Sequence, residues 1–187
     1  RSIENFSMEN STFKSESANQ KYIISLGAST SQDYKNIVFK NNVFYCPEGK
    51  VNQFGLFVGS KAGMANCVLE NNTFVNLETA TTGMVYVDKL ADISVKNNIF
   101  WTNTAGANAC IIFRPVTTSP SGTTCVNNIV YKTMTFNWQM FYGGKAPFEG
   151  MEQLNILEAN PFDGGTFDLA NGIFVPNAEY AEYGATN

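Results

Sequence analysis

The side chains that could carry acid–base or nucleophilic chemistry are few. The chain has five aspartates (Asp33, Asp88, Asp92, Asp163 and Asp168), two arginines (Arg1 and Arg114), four cysteines and no histidine. A serine or cysteine nucleophile therefore lacks the histidine that would take its proton. Cys46, Cys67, Cys110 and Cys125 form no Cys-x-x-Cys pair, so a zinc site built on Cys/His spacing is not expected. Glycoside hydrolysis by clustered carboxylates needs aspartates that lie together, and these are scattered. Elimination beside a uronate needs a base such as arginine and an acidic nest for calcium. Arg114 is the one interior candidate base, with Asp88 as its neighbour in the alignment below, and such a pair makes a salt bridge more often than a catalytic centre. No glycine-rich phosphate loop occurs. The reading assigns no catalytic residue, no metal and no cofactor.

Bulk properties narrow the partners. The 187 residues suffice for one domain with a real core. Net charge is −4, so the clustered lysine and arginine that phosphate binding requires are missing and nucleic acid is not an expected partner. No run of 18 apolar residues exists, so no transmembrane segment is expected. Charged residues are only 15%, and polarity comes from uncharged groups, 23 Asn and 16 Thr, beside 15 Phe and 8 Tyr. That mixture suits β-structure with many hydrogen-bonded turns. The chain begins at Arg1 without a signal peptide, and the expectation is a piece of a longer protein with a domain before it.

The elements that position any site come from a repeat. "FKNNVFY" at 39–45, "LENNTFV" at 69–75 and "VKNNIFW" at 95–101 have weaker copies in "MENSTF" at 8–13 and "CVNNIVY" at 125–131. Self-similarity at about 20–50 residues marks a solenoid, and the period-two alternation in "DISVKNNIF" marks strands. Stacked, the copies give inward columns Phe6/Ile37/Cys67/Ile93/Thr123 and Met8/Phe39/Leu69/Val95/Cys125. An outward column reads Glu9/Lys40/Glu70/Lys96/Val126. Opposite charges about 4.8 Å apart on neighbouring strands attract, which agrees with this register.

The first Asn of each motif, Asn10, Asn41, Asn71, Asn97 and Asn127, is expected to form an inward structural ladder. The second position, Ser11/Asn42/Asn72/Asn98/Asn128, is expected at a sharp corner where asparagine tolerates left-handed backbone. Phe13, Phe44, Phe74 and Phe100 then stack inside, ending in Val130. Asn10-Ser11-Thr12 and Asn71-Asn72-Thr73 match the glycosylation acceptor pattern, which the inward placement argues against. Cys67 and Cys125 fall two coils apart, too far for a bridge, so free buried thiols are expected.

A second apolar run follows each motif: "YIISLG", "FGLFVG", "MVYVD", "CIIFRP" and "QMFYGG". A third short strand per coil is expected without a position. The fold expected is all-β, a right-handed parallel β-helix of about five coils over residues 1–145, with 146–187 as a C-terminal capping segment of the same domain. In the second-run sheet, Phe57, Tyr86, Ile112 and Tyr142 share one outward column, with Asp88 and Arg114 two residues further along. An aromatic strip beside charged groups suits sugar faces and hydroxyls, so Phe57, Tyr86, Asp88, Arg114 and Tyr142 are the candidate carbohydrate-binding residues. Packing of the same column beneath loops is the competing reading. Trp101 and Trp138 are expected to pack at corners or loops before serving as sugar platforms.

The "NNxF" coils followed by "NPF", "GTFDL" and "YGA" resemble the pectate-lyase-like right-handed β-helix superfamily. More narrowly they are similar to C-terminal β-helix domains of Bacteroidetes surface lipoproteins associated with polysaccharide utilisation. That resemblance implies a noncatalytic β-helix module, bacterial cell-surface or secreted, with a polysaccharide or glycan as partner. Two alternatives stay open: a polysaccharide lyase or glycoside hydrolase acting on acidic polysaccharide, and a structural spacer or adhesin segment.

Overall fold

A computed structural model describes residues 3–16, 22–26, 33–47, 54–58, 63–76, 85–88, 93–103, 111–114, 124–132 and 155–186. In chain order the strands fall into circuits. The first is β1 (Ile3–Glu9), β2 (Thr12–Lys14) and β3 (Tyr22–Leu26); the second is β4 (Asp33–Lys40), β5 (Val43–Tyr45) and β6 (Phe54–Val58). The third holds β7 (Gly63–Ala65), β8 (Cys67–Glu70), β9 (Thr73–Val75) and β10 (Val85–Asp88). The fourth is β11 (Ile93–Lys96), β12 (Ile99–Thr102) and β13 (Ile111–Arg114), and the fifth opens with β14 (Thr124–Val126) and β15 (Ile129–Lys132). The tail carries β16 (Asn155–Ile156), β17 (Thr166–Asp168), β18 (Ile173–Val175) and one 3-10 turn at Ala178–Tyr180.

The protein is all-β with three parallel sheets. The first runs β1-β4-β8-β11-β14, with β7 also on β4; the second runs β16-β15-β12-β9-β5-β2; the third runs β13-β10-β6-β3. The first four circuits thus visit the same three sheets in the same order and the fifth enters the first two, a progression consistent with a β-solenoid. The pairing matches the sequence columns: Phe6 with Ile37, Met8 with Phe39, Phe39 with Leu69, Leu69 with Val95 and Val95 with Cys125. Buried residues from all three sheets meet in one core that includes Phe39, Leu69, Phe74, Val85, Phe100 and Cys125.

The third strand of each circuit lies within the motif itself. The segments Thr12–Lys14, Val43–Tyr45, Thr73–Val75, Ile99–Thr102 and Ile129–Lys132 form the second sheet, separated from the first by the Asn-Asn corner. Along it the phenylalanines stack as expected: Phe13–Phe44, Phe44–Phe74 and Phe74–Phe100 have centroids 5.1, 5.0 and 5.0 Å apart, and the last two pairs are tilted by only 5°. Register forces this offset stacking, because parallel strands about 4.8 Å apart repeat the ring at that spacing.

The two asparagines of the corner have exchanged the roles read from sequence. Asn10, Asn41, Asn71, Asn97 and Asn127 hold the left-handed backbone, with φ of 52° to 57°, and none is buried. The buried amide ladder is the next column, Asn42, Asn72, Asn98 and Asn128. Its polarity repeats at every step. The Nδ2 of Asn72 donates to Asn98 Oδ1 at 3.1 Å and to Phe39 O at 2.9 Å; that of Asn98 donates to Asn128 Oδ1 and to Leu69 O, both at 2.8 Å. The physical reason is parity. A residue in the left-handed region turns the chain instead of continuing the pleat, so alternation carried through Glu70 into Asn71 assigns the wrong neighbour inward. The inward argument against glycosylation at Asn10 and Asn71 fails with it, since Asn10 is exposed and Asn71 half-exposed.

A second left-handed column lies one residue before Phe6, Ile37 and Cys67. Asn5, Asn36 and Asn66 have φ of 58°, 55° and 53°, and Asn36 Nδ2 donates to Asn5 Oδ1 at 2.8 Å. In the sequence repeat Asp92 and Gly122 align with these three, so a run of residue types that tolerate positive φ is the signal the letters carry.

Candidate functional site

The third sheet is built from short apolar strands whose register is set by the circuits. Ser25 pairs with Phe57, Phe57 with Tyr86 and Tyr86 with Ile112; Asp88 pairs with Arg114. Three of the four positions in the expected aromatic column therefore stand side by side, at about 4.8 Å per step. Val85, on an inner strand of this sheet, is fully buried in the core. Tyr142, the fourth position, lies outside the described residues, as does Trp138. The backbone register sets an aspartate and an arginine at paired positions on adjacent strands.

Two of the other aspartates, Asp163 and Asp168, have structural employment. Asp163 accepts from Asn160 Nδ2 at 3.0 Å. Asp168 accepts from the Asn171 side chain at 2.7 Å and from the backbone N–H groups of Asn171 and Ala170. Those bonds, the Asn171 amide foremost, hold its carboxyl below the usual aspartate range. Among the described residues no three His, Cys, Asp or Glu side chains converge to hold a metal ion. Cys46, Cys67 and Cys125 are buried and none of them is in a disulfide.

The tail occupies the outer face of the second sheet. Phe162, Phe167 and Phe174 pack with Tyr45, Val75 and Trp101, and the Trp101–Phe167 centroids are 4.4 Å apart. Trp101 is 5% exposed and donates from Nε1 to Asn160 Oδ1 at 3.1 Å, which makes it packing and not a platform. Beyond the hairpin the chain runs back along the corner: Asn71 Nδ2 donates to Glu182 O, Gly184 N to Asn97 O, and Ala185 N to Thr73 Oγ1. Only β16 extends the end of a sheet, against β15; the rest straps the flank, where Val43, Thr73 and Ile99 need cover. The charged column on the first sheet follows the expected register, yet its carboxylates accept from serines, Ser7 to Glu9 at 2.5 Å and Ser94 to Glu70 at 2.7 Å.

No helix among the described residues is long and apolar enough to cross a membrane. No protein-family profile matches the chain, and no curated protein or solved structure matches it.

Proposed function

We propose that the three sheets close into a right-handed parallel β-helix of about five coils, of the pectate-lyase-like kind, and that it is a noncatalytic carbohydrate-binding module of a bacterial surface or secreted protein. One observation carries the reading: the pairing that sets Phe57 beside Tyr86 and Asp88 beside Arg114 on one sheet. Aromatic residues repeated at the strand spacing suit stacking on successive sugar faces, and the charged pair suits hydroxyls or carboxylates. The strapped second sheet supports it further, because that flank is already filled by the chain's own aromatics.

The test is a glycan array and polysaccharide pull-down on the purified chain, with and without calcium. The expected outcome is binding without turnover that is lost in Tyr86→Ala and weakened in Arg114→Gln. Calcium-dependent release of an unsaturated product, read by ultraviolet absorbance, would make the chain a lyase centred on Arg114. Silence across the array would leave a structural spacer.

A further inference from the structure

The left-handed corner column does more than turn the chain. Its side chains line one wall of an open pocket of about 240 Å³, formed by Glu9, Asn10, Lys40, Asn41, Asn71 and Thr186. Thr186 also lines a second, apolar pocket of about 300 Å³, whose other walls are Val175, Pro176, Ala181 and Ala185. The two compartments share Thr186 as a common wall where the tail crosses the corner. Thr186 is held there through Asn41, whose Oδ1 accepts from its backbone N–H at 2.6 Å and its hydroxyl at 3.2 Å.

The polar compartment is chemically open. Asn41 Nδ2 is committed to Asn10 Oδ1 and Asn71 Nδ2 to Glu182 O. Among the described residues that leaves Asn10 Nδ2 as a donor and Asn71 Oδ1 as an acceptor. Glu9 and Lys40 are paired in register, yet neither belongs to an ion pair within 4 Å among the described residues. One carboxylate and one ammonium give the wall no net charge, which disfavours a strongly anionic or cationic ligand. Donors and acceptors of both kinds fit vicinal hydroxyls, and the neighbouring apolar wall fits a methyl-bearing substituent. Each compartment stands at or below the low end of the roughly 300–1,000 Å³ typical of ligand pockets, so the pair suits one ring and its substituent.

We propose that this two-part cleft is a binding site for a single neutral sugar residue carrying a methyl-bearing substituent, such as an N-acetylhexosamine. The ring hydroxyls meet Glu9, Asn10, Lys40 and Asn71, and the acetamido methyl lies against the exposed Val175 and Ala181. The site shares no residue with the Phe57–Tyr86 column and does not rest on it.

The experiment is an NMR titration of the whole chain with N-acetylglucosamine and N-acetylgalactosamine, with glucose as the control. The side-chain amides of Asn10 and Asn71 and the backbone amide of Thr186 shift with at least one acetamido sugar, and glucose binds at least about threefold more weakly. Asn10→Gly keeps the left-handed backbone while removing the amide, and weakens binding about fivefold or more with the remaining spectrum intact. Ala181→Ser, a small change in the exposed apolar wall, reduces the preference over glucose. Tyr86→Ala leaves all of this unchanged, so failure of the third-sheet reading is seen separately. The proposal is overturned if these signals stay still with both acetamido sugars, if glucose binds equally well, or if Asn10→Gly binds as the wild type does.

Discussion

Adjacent asparagines of one corner should respond oppositely to the same substitution. Asn98 is fully buried, and its Oδ1 accepts from the backbone N–H of Asn72 at 2.9 Å while its Nδ2 donates to Leu69 O at 2.8 Å. Asn98→Gly removes both partners in a place water does not reach. Each buried group left without a partner costs about 1–3 kcal/mol, so the pair costs about 2–6 kcal/mol. That is a large part of a domain stability of about 5–15 kcal/mol. Asn97, one residue earlier, has φ of 54° and is half-exposed. Glycine adopts that backbone without steric penalty, and Asn97→Gly should stay within about 1 kcal/mol of wild type. Asn98→Asp adds a signed control. It keeps the acceptor but buries a carboxylate, raising its folded pKa above the unfolded value, so its penalty is least at low pH and grows as pH rises through that raised pKa. Urea unfolding of the variants, with the pH series for the aspartate, measures all of this. Equal losses at 97 and 98, or an Asn98→Gly variant within 1 kcal/mol of wild type, would refute the assigned ladder.

Phe74 is fully buried between Phe44 and Phe100, and Phe74→Ala should cost about 3–5 kcal/mol in the same assay. Gly184 has φ of +69°, and a Cβ there would stand 2.5 Å from Thr73 Oγ1 and 2.7 Å from Ile99 Cδ1; Gly184→Ala should loosen the strap, with faster hydrogen exchange at Ala185 and Asn177 than at Phe74 or Phe100. Asp168, held low by Asn171, contributes stability above the ordinary aspartate pKa of about 3.9 that is lost as pH falls through its depressed value. Asn171→Ala should return the Asp168 carboxyl toward that ordinary value in an NMR titration, and an unmoved midpoint would discredit the bond.

The register of the first and second sheets, the phenylalanine stack and the burial of Cys67 and Cys125 were legible in the letters alone. A strand repeated about every 30 residues meets its own copy as neighbour, so apolar spacing and repeat length together determine the pairing at Phe39, Leu69 and Val95. The alignment of Phe57 with Tyr86 and of Asp88 with Arg114 followed from the same rule. Which asparagine of each doublet faces the core did not follow, because one left-handed residue resets the alternation and both positions carry the same side chain. Nor did the path of the tail. Its bonds join Ala185 to Thr73 and Thr186 to Asn41, across 112 and 145 residues, and contacts made once leave no period to read. Only the folded coils create the flank that Phe167 and Phe174 cover, and the two-part cleft at Thr186 exists because the tail crosses the corner there.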